Sequence, residues 1–353
     1  MAGVTKREFM ATAAAAGALA AGGIGVAAAQ DLPANERVLY EAAKREGEIT
    51  WYSGQLNAES GEAAGRAFTQ RYPGIKVNVI RSTSQVAYQR LTQDMRAGIA
   101  QCDILSSTDY GHSASLKRDG KLLQFRPKNA DGLIPSVRAG DPDNYFQIFY
   151  LGVYLLARNT QKVSEADAPK SWKDLLDPKW KDQLAIGHPA YSGAIGSLCV
   201  MLRKMYGWEY FKALEKNHPQ IGRSSQDPVT LLNAGERTIG VAVPAATTLL
   251  SMSRGNPLAL IYPSDGTLGV PSPSCIPKNA PHPNAAKLFF EFATGPDYFR
   301  ATVELFNESL RPDVAPPKGS KPLSEINLIG APPDEIEAGI PEVKELWRDT
   351  FGI

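Results

Sequence analysis

Small hydroxyl residues recur wherever an extended run of this chain gives way to a helical one: Ser53-Gly54, Ser106-Ser107-Thr108, Ser192-Gly193-Ala194 and Ser224-Ser225. Hydroxyls and helix N-termini donate hydrogen bonds without fixing a full charge, a combination suited to a carboxylate, phosphate or phosphonate. Arg81 and Arg223 could add a charge-assisted contact, and Asp265 could meet an amine. Tyr52, Tyr150 and Tyr191 could stack on a bound molecule, although half-buried packing describes such tyrosines equally well. The 4 histidines (His112, His188, His218, His282) show no H-E-x-x-H spacing and no C-x-x-C occurs, so neither a metal site nor a cofactor is expected. Gly111-His112-Ser113-Ala114-Ser115 imitates a nucleophile elbow but lacks the closing glycine. Gly23-Ile24-Gly25 imitates a dinucleotide fingerprint with no strand before it.

The elements that must hold these loops are legible from periodicity. Ile49 to Tyr52 is extended, Ala58 to Tyr72 is helical with Ala63, Ala64, Ala67 and Phe68 on one face, and Ile75, Val77 and Val79 alternate along a second strand. This is a βαβ unit. The strand Asp103 to Leu105 and the loop after it repeat the design, and two such loops on neighbouring parallel strands converge on one crevice. Leu184 to Gly187 precedes Ser192, and Thr238 to Val243 precedes Pro244-Ala245-Ala246-Thr247-Thr248, which opens another helix. Tyr145 to Arg158 is apolar throughout and long enough to cross between lobes, and Leu268 to Ile276 crosses back.

A chain of 353 residues, 43% hydrophobic and 21% charged, fits a globular protein of two lobes. Residues 1–29 differ from the rest: Lys6-Arg7 leads into Phe9-Met10, an Ala/Gly run and Ala27-Ala28-Ala29, the pattern of an export signal cleaved near Ala29. Thr5-Lys6-Arg7-Glu8-Phe9-Met10 resembles the twin-arginine signal with Lys6 in place of the first arginine. No later run approaches the ~20 apolar residues of a spanning helix. Cleavage removes Lys6, Arg7 and Glu8 from 38 basic and 37 acidic side chains, leaving 36 of each. A neutral mature chain gives no electrostatic case for nucleic acid or membrane surfaces. Of Cys102, Cys199 and Cys275, Cys199 shares a helix face with Ile195, Leu198 and Leu202 and reads as a small buried hydrophobe.

Taken together, ITWYSGQ, YPGIKV, DILSSTD, SWKDLLDPKWK, YSGAIGS, NAGE and RPDV resemble the periplasmic solute-binding proteins of bacterial ABC importers, in the branch that includes ferric-ion-binding proteins. The resemblance runs from about Arg37 to Val314 and implies an α/β fold of type II periplasmic binding proteins. In that fold two lobes, each a mixed sheet flanked by helices, are joined by two crossing hinge strands. The expected division is 33–150 with 270–311 as the first lobe and 151–269 as the second. Residues 312–353 form a connector and a short helix near Val343 to Thr350, packed on the second lobe. The resemblance implies a monomer, not an enzyme, that captures a small solute in the interlobe cleft and delivers it to a membrane permease.

Ferric-binding relatives would place a histidine, a glutamate and a tyrosine pair where this chain has Leu56, about Thr108, and Ala245-Ala246. None of these suits a hard cation. The anion loop Ser192-Gly193-Ala194 is intact, so an anionic solute is expected: a phosphonate, a sugar phosphate or an organic acid. The ligand-binding set is then Tyr52, Ser53, Gly54, Arg81, Ser106, Ser107, Thr108, Tyr150, Ser192, Gly193, Ala194, Ser225 and Asp265. Alternatives are a ferric or ferric-chelate receptor using other ligands, an enzyme on the same fold with Cys102 or Cys199 as nucleophile, and a receptor coupled to chemosensing.

Overall fold

The computed structural model describes residues 32–138 and 140–353, so the export signal read in residues 1–29 lies outside the described residues. Helix α1 (Ala34–Glu46) is closed by Gly47, whose φ of 77° is the left-handed turn that ends many helices. The chain continues through β1 (Glu48–Ser53), α2 (Ala58–Arg71), β2 (Lys76–Arg81), α3 (Ser84–Arg96), β3 (Ile104–Ser106) and α4 (Tyr110–Arg118). A short α5 (Pro135–Arg138) precedes the long β4 (Phe146–Asn159). Next come β5 (Leu184–Ile186), α6 (Gly193–Tyr206), α7 (Glu209–Glu215), β6 (Gln220–Ile221), α8 (Asp227–Asn233) and β7 (Ile239–Pro244). The chain then runs through α9 (Ala245–Ser253), β8 (Leu258–Ile261), β9 (Thr267–Cys275), α10 (Pro283–Thr294), α11 (Pro296–Val303), β10 (Leu328–Ile329) and α12 (Pro333–Phe351).

Two parallel sets flank a central antiparallel pair. β1 lies between β2 and β3, and β5 between β7 and β6, all parallel. Between them β4 and β9 run antiparallel, with β3 beside β9 and β7 beside β4. The first half of β4 belongs to one lobe and its second half to the other. Hydrogen bonding is continuous in the order β2-β1-β3-β9-β4-β7-β5-β6. The half-sheets of the two lobes are therefore one sheet passing through the crossing strands.

β4 is apolar along its length because both of its faces are covered. Its N-terminal half joins a core built on Trp51, Phe68, Tyr72, Phe149 and Phe289. Its C-terminal half joins a separate core built on Trp172, Leu198, Cys199, Phe211 and Trp347. Two register slips mark the passage between them. Phe149 and Tyr150 together oppose Ser272, and Val241 with Ala242 oppose Leu156. Ala242 takes a φ of 53°, a left-handed conformation uncommon for a residue with a Cβ. Such bulges bend a strand and re-aim its side chains.

The C-terminal helix is longer than its sequence suggests. Pro332, Pro333 and Pro341 read as breakers, yet α12 spans 19 residues with Pro341 inside it. Pro333 sits in the first turn, where its missing N–H costs nothing. Ile336, Ile340, Val343 and Trp347 bury one face, and that burial offsets the hydrogen bond lost at Pro341. The helix packs on the second core and also reaches the first lobe, where Glu337 accepts a 2.8 Å hydrogen bond from Arg118 of α4.

Candidate functional site

Six helix starts surround one narrow crevice between the lobes, with a cavity volume of about 20 Å³ in this conformation. Asn57 caps α2, accepting from Ser60 N at 2.8 Å, and Thr83-Ser84 open α3. Thr108 immediately precedes the Asp109 cap of α4, and Ser192 caps α6. Ser224, Ser225 and Gln226 lead into α8, and Ala246 with Thr247 lie in the first turn of α9. All of these residues except Ser60 and the Asp109 cap line the crevice. Helix N-termini carry partial positive charge and free N–H groups, so the first requirement of an anion site is met before any side chain acts.

The first-lobe loops are tied to one another. Ser84 Oγ donates to Gly54 O at 3.1 Å, accepts from Thr108 N at 2.9 Å and lies 2.8 Å from Thr108 Oγ1. A Cβ on Gly54 would stand 2.7 Å from that same Ser84 oxygen, so this approach requires glycine. Across the crevice, Asp227 collects the second-lobe loop by accepting from Arg223 N, Ser224 N and Ser224 Oγ.

Arg81 supplies the one formal charge among the lining side chains. Its Nε donates to Leu56 O at 2.9 Å, and no carboxylate pairs with its guanidinium among the described residues. Burial pushes its pKa down, offset in part by the nearby Tyr154 and Tyr150 hydroxyls and by Asp227. Tyr150 and Tyr154 come from the bulged strand β4. Burial pushes Tyr154 up to about 12, while Ser225 and Tyr150 lie within hydrogen-bonding reach of its hydroxyl. Gln55 Nε2 and Oε1 and Thr83 Oγ1 are buried without partners at this same crevice. Unpaired buried polar atoms are costly, which marks them as places where a ligand would be held.

Of the residues expected from sequence, Gly54, Arg81, Thr108, Tyr150, Ser192 and Ser225 come together here, with Gly193 packed directly behind. The others lie outside the crevice, hydrogen-bonded or packed in the surrounding structure, with the buried Ser53 hydroxyl left unpartnered. Tyr52 donates to Asp94 at 3.1 Å beneath Arg90, and Ser53 is fully buried under its loop. Ser106 Oγ accepts from Trp51 Nε1 at 2.8 Å and meets Ser274 Oγ at 2.7 Å. Ser107 Oγ lies 2.8 Å from His112 Nδ1, and Ala194 belongs to the second core. Asp265 accepts from Trp172 N at 2.9 Å and Tyr206 Oη at 2.6 Å, so it organises the second lobe and does not meet an amine in the crevice. Arg223 lies over the Tyr191 ring at 4.7 Å, and neither residue lines the crevice. Sequence reasoning missed Gln55, Asn57, Thr83, Ser84, Tyr154, Gln226, Thr247 and Asn307.

The lobes meet in this conformation. Arg254 at the end of α9 pairs with Glu59 in the first turn of α2, at the mouth of the crevice. Cys102 and Cys199, the residues a thiol enzyme would use, are buried, with their pKa values raised well above normal by desolvation. Neither lines the crevice.

Residues 115–325, more than half of the chain, match the family model described as bacterial extracellular solute-binding protein. The chain belongs to that family. An uncharacterized protein of Haemophilus influenzae is 26% identical to this solute-binding protein over 241 residues, covering 66% of this chain and 68% of that one. Among solved structures it is similar to the periplasmic binding protein AfuA of Actinobacillus pleuropneumoniae with exogenous fructose-6-phosphate bound, at 22% identity and a TM-score of 0.78. That match covers 87% of this chain and 99% of the other. Iron-bound HitA of Pseudomonas aeruginosa matches at 21% identity, a TM-score of 0.73, and 86% and 99% coverage. At such identity the likeness establishes the two-lobed binding-protein fold. No helix among the described residues is long and apolar enough to cross a membrane.

Proposed function

We propose that this solute-binding protein is a periplasmic receptor that captures a small anionic solute, of the phosphate-ester, phosphonate or organic-acid class, between its lobes and delivers it to a permease. The observation that carries the reading is Arg81: a half-buried guanidinium without a carboxylate partner, facing a crevice whose other lining groups are mainly hydroxyls, amides and helix N-termini. An anion bound there gains a charge-assisted hydrogen bond and several helix N–H groups, and offsets the desolvation cost of an unpaired cation. The sugar phosphate bound to AfuA fits this chemistry. Contacts from Ser192, Ser225 and Thr247 on one side and Arg81, Ser84 and Thr108 on the other favour the closed form once the solute is present.

A second reading has support in Tyr150 and Tyr154, whose phenols would suit ferric iron, the metal bound to HitA. No carboxylate or imidazole joins them among the lining residues, so iron would depend on an accompanying anion. Thermal-shift screening separates the readings. Fructose 6-phosphate, phosphonates, dicarboxylates and ferric citrate would be tested on the mature protein. A true ligand at a hundredfold its Kd adds about 2.7 kcal/mol of stability. If no anion shifts the transition while ferric salts give a visible tyrosinate charge-transfer band, the anion reading is wrong.

A further inference from the structure

Two amide side chains on the first-lobe wall of the crevice offer what a bare anion does not use. Phe306, just beyond α11, takes a φ of 66°, and after this reversal Asn307 lines the crevice while Glu308, only 7% exposed, lies outside it. Asn307 is 3% exposed, and its partners fix which way its amide faces. Nδ2 donates to Thr302 O at 3.1 Å and Leu305 O at 3.3 Å, which can only accept, and to Ser60 Oγ at 2.8 Å. Oδ1 is thereby an acceptor, and no group among the described residues donates to it. Gln55, in the loop after β1, is 4% exposed, and neither its Nε2 nor its Oε1 has a partner. Whichever way that amide lies, it offers one acceptor beside one donor.

Arg81 and the helix starts donate, and an oxyanion answers donors alone. An amide oxygen enclosed beside an oxyanion stays unpaired, which is costly once the lobes exclude water. An ammonium group on the solute would donate, but no carboxylate lines the crevice to offset its charge near Arg81. A hydroxyl donates without a charge. We propose that Asn307 and Gln55 determine specificity in this crevice by accepting hydrogen bonds from hydroxyl groups of the solute. Hydroxylated anions, polyol phosphates or hydroxy acids, are then captured in preference to anions whose polar atoms only accept and to zwitterions. The inference rests on the anion reading above and narrows it to part of the classes named there.

Calorimetry on the mature protein with matched anions tests this, and the probes are small because the crevice is narrow. Glycerol 3-phosphate is compared with propyl phosphate, and malate with succinate, each pair differing only in hydroxyl groups. At least one hydroxylated member should bind about ten- to a hundredfold more tightly than its partner, the range expected when a buried acceptor is left unpaired. 2-Aminoethyl phosphate should bind more weakly than glycerol 3-phosphate. Gln55→Leu should shrink the ratio within the preferred pair at least about threefold. In the wild type, the side-chain amide resonances of Asn307 and Gln55 should shift more with the hydroxylated member than with its partner, a measurement that needs no variant to fold. Equal affinities within both pairs, or a preference for 2-aminoethyl phosphate, overturn the specificity role and leave the anion reading standing. A ratio unchanged in Gln55→Leu, with both amide resonances unmoved, does the same. Failure of all five anions to bind overturns both.

Discussion

A Cβ built on Gly193 would lie 2.5 Å from the backbone nitrogen of Asp109 and 2.6 Å from the carbonyl carbon of Thr108. The first turn of α6, in one lobe, therefore rests on the backbone of the other, and no side chain fits between them. Gly193→Ala should hold the lobes apart while leaving each core intact. Affinity for the solute should fall at least about tenfold, because the contacts of one lobe are withheld from the ligand. The melting temperature without ligand should change little. Calorimetry and small-angle scattering check both halves; wild-type affinity in this variant would mean the contact plays no role in closure.

Arg81 carries a different expectation, since its partial burial without a carboxylate is a cost to the unliganded fold. Arg81→Gln should weaken anion binding by two to three decades, within the about 2–5 kcal/mol typical of a buried charge partner. The same variant should melt no lower than wild type, and a degree or more higher if relief from desolvation outweighs the lost bond to Leu56 O. Loss of stability together with unchanged affinity would remove Arg81 from the site.

The three cysteines are free and buried, each with its thiol pushed upward in pKa by desolvation. A thiol-specific reagent should find essentially no reactive group in the native protein, and three after unfolding. Prolonged exposure of the folded protein to the reagent should leave solute binding unchanged. A fast-reacting thiol in the native state would restore the cysteine-nucleophile alternative.

Much of this architecture can be read from local pattern, because each strand, loop and helix announces itself through apolar alternation followed by Ser, Gly or Thr. Arg81, at the end of such a strand, is legible in that way, and Thr83-Ser84 could have been, since they repeat the same strand–hydroxyl–helix pattern one unit later. Tyr52 and Ser53 show the limit. Neighbours on a strand face opposite sides, and Tyr52 turns inward because Asp94 and Arg90 of α3 receive it, which no composition reveals. Asn307 arrives from a turn far along the chain from Arg81, without a motif. The burial of Glu308 depends on Phe306 adopting a left-handed turn where glycine would be usual. The last helix extends well before the short segment expected near Val343 to Thr350, because tertiary burial of Ile336, Ile340 and Val343 outweighs the local breaker Pro341.

Two buried groups should oppose one another in the pH dependence of stability. Burial pushes His112 down to about 4, with the Asp109 carboxylate offsetting some of the effect. Its ring stacks on Tyr88 at 4.0 Å and its Nδ1 meets Ser107. A histidine depressed in the folded state takes up its proton more readily when unfolded, so its stabilisation is present above pH 6.5 and is lost as pH falls toward 4. Glu308, raised to about 7, has the reverse sign: its contribution is full below its ordinary value of 4.5 and is lost as pH rises through 7. Each spans about 2.5 pH units, or about 3 kcal/mol at the limit. Between pH 4.5 and 6.5 the slopes largely cancel. Denaturant titrations at several pH values should therefore show a shallow wild-type profile across that window. Glu308→Gln should expose the histidine slope, with stability rising as pH rises, and His112→Gln should expose the carboxyl slope, with stability falling. If both variants keep the wild-type profile, neither group titrates where its burial places it.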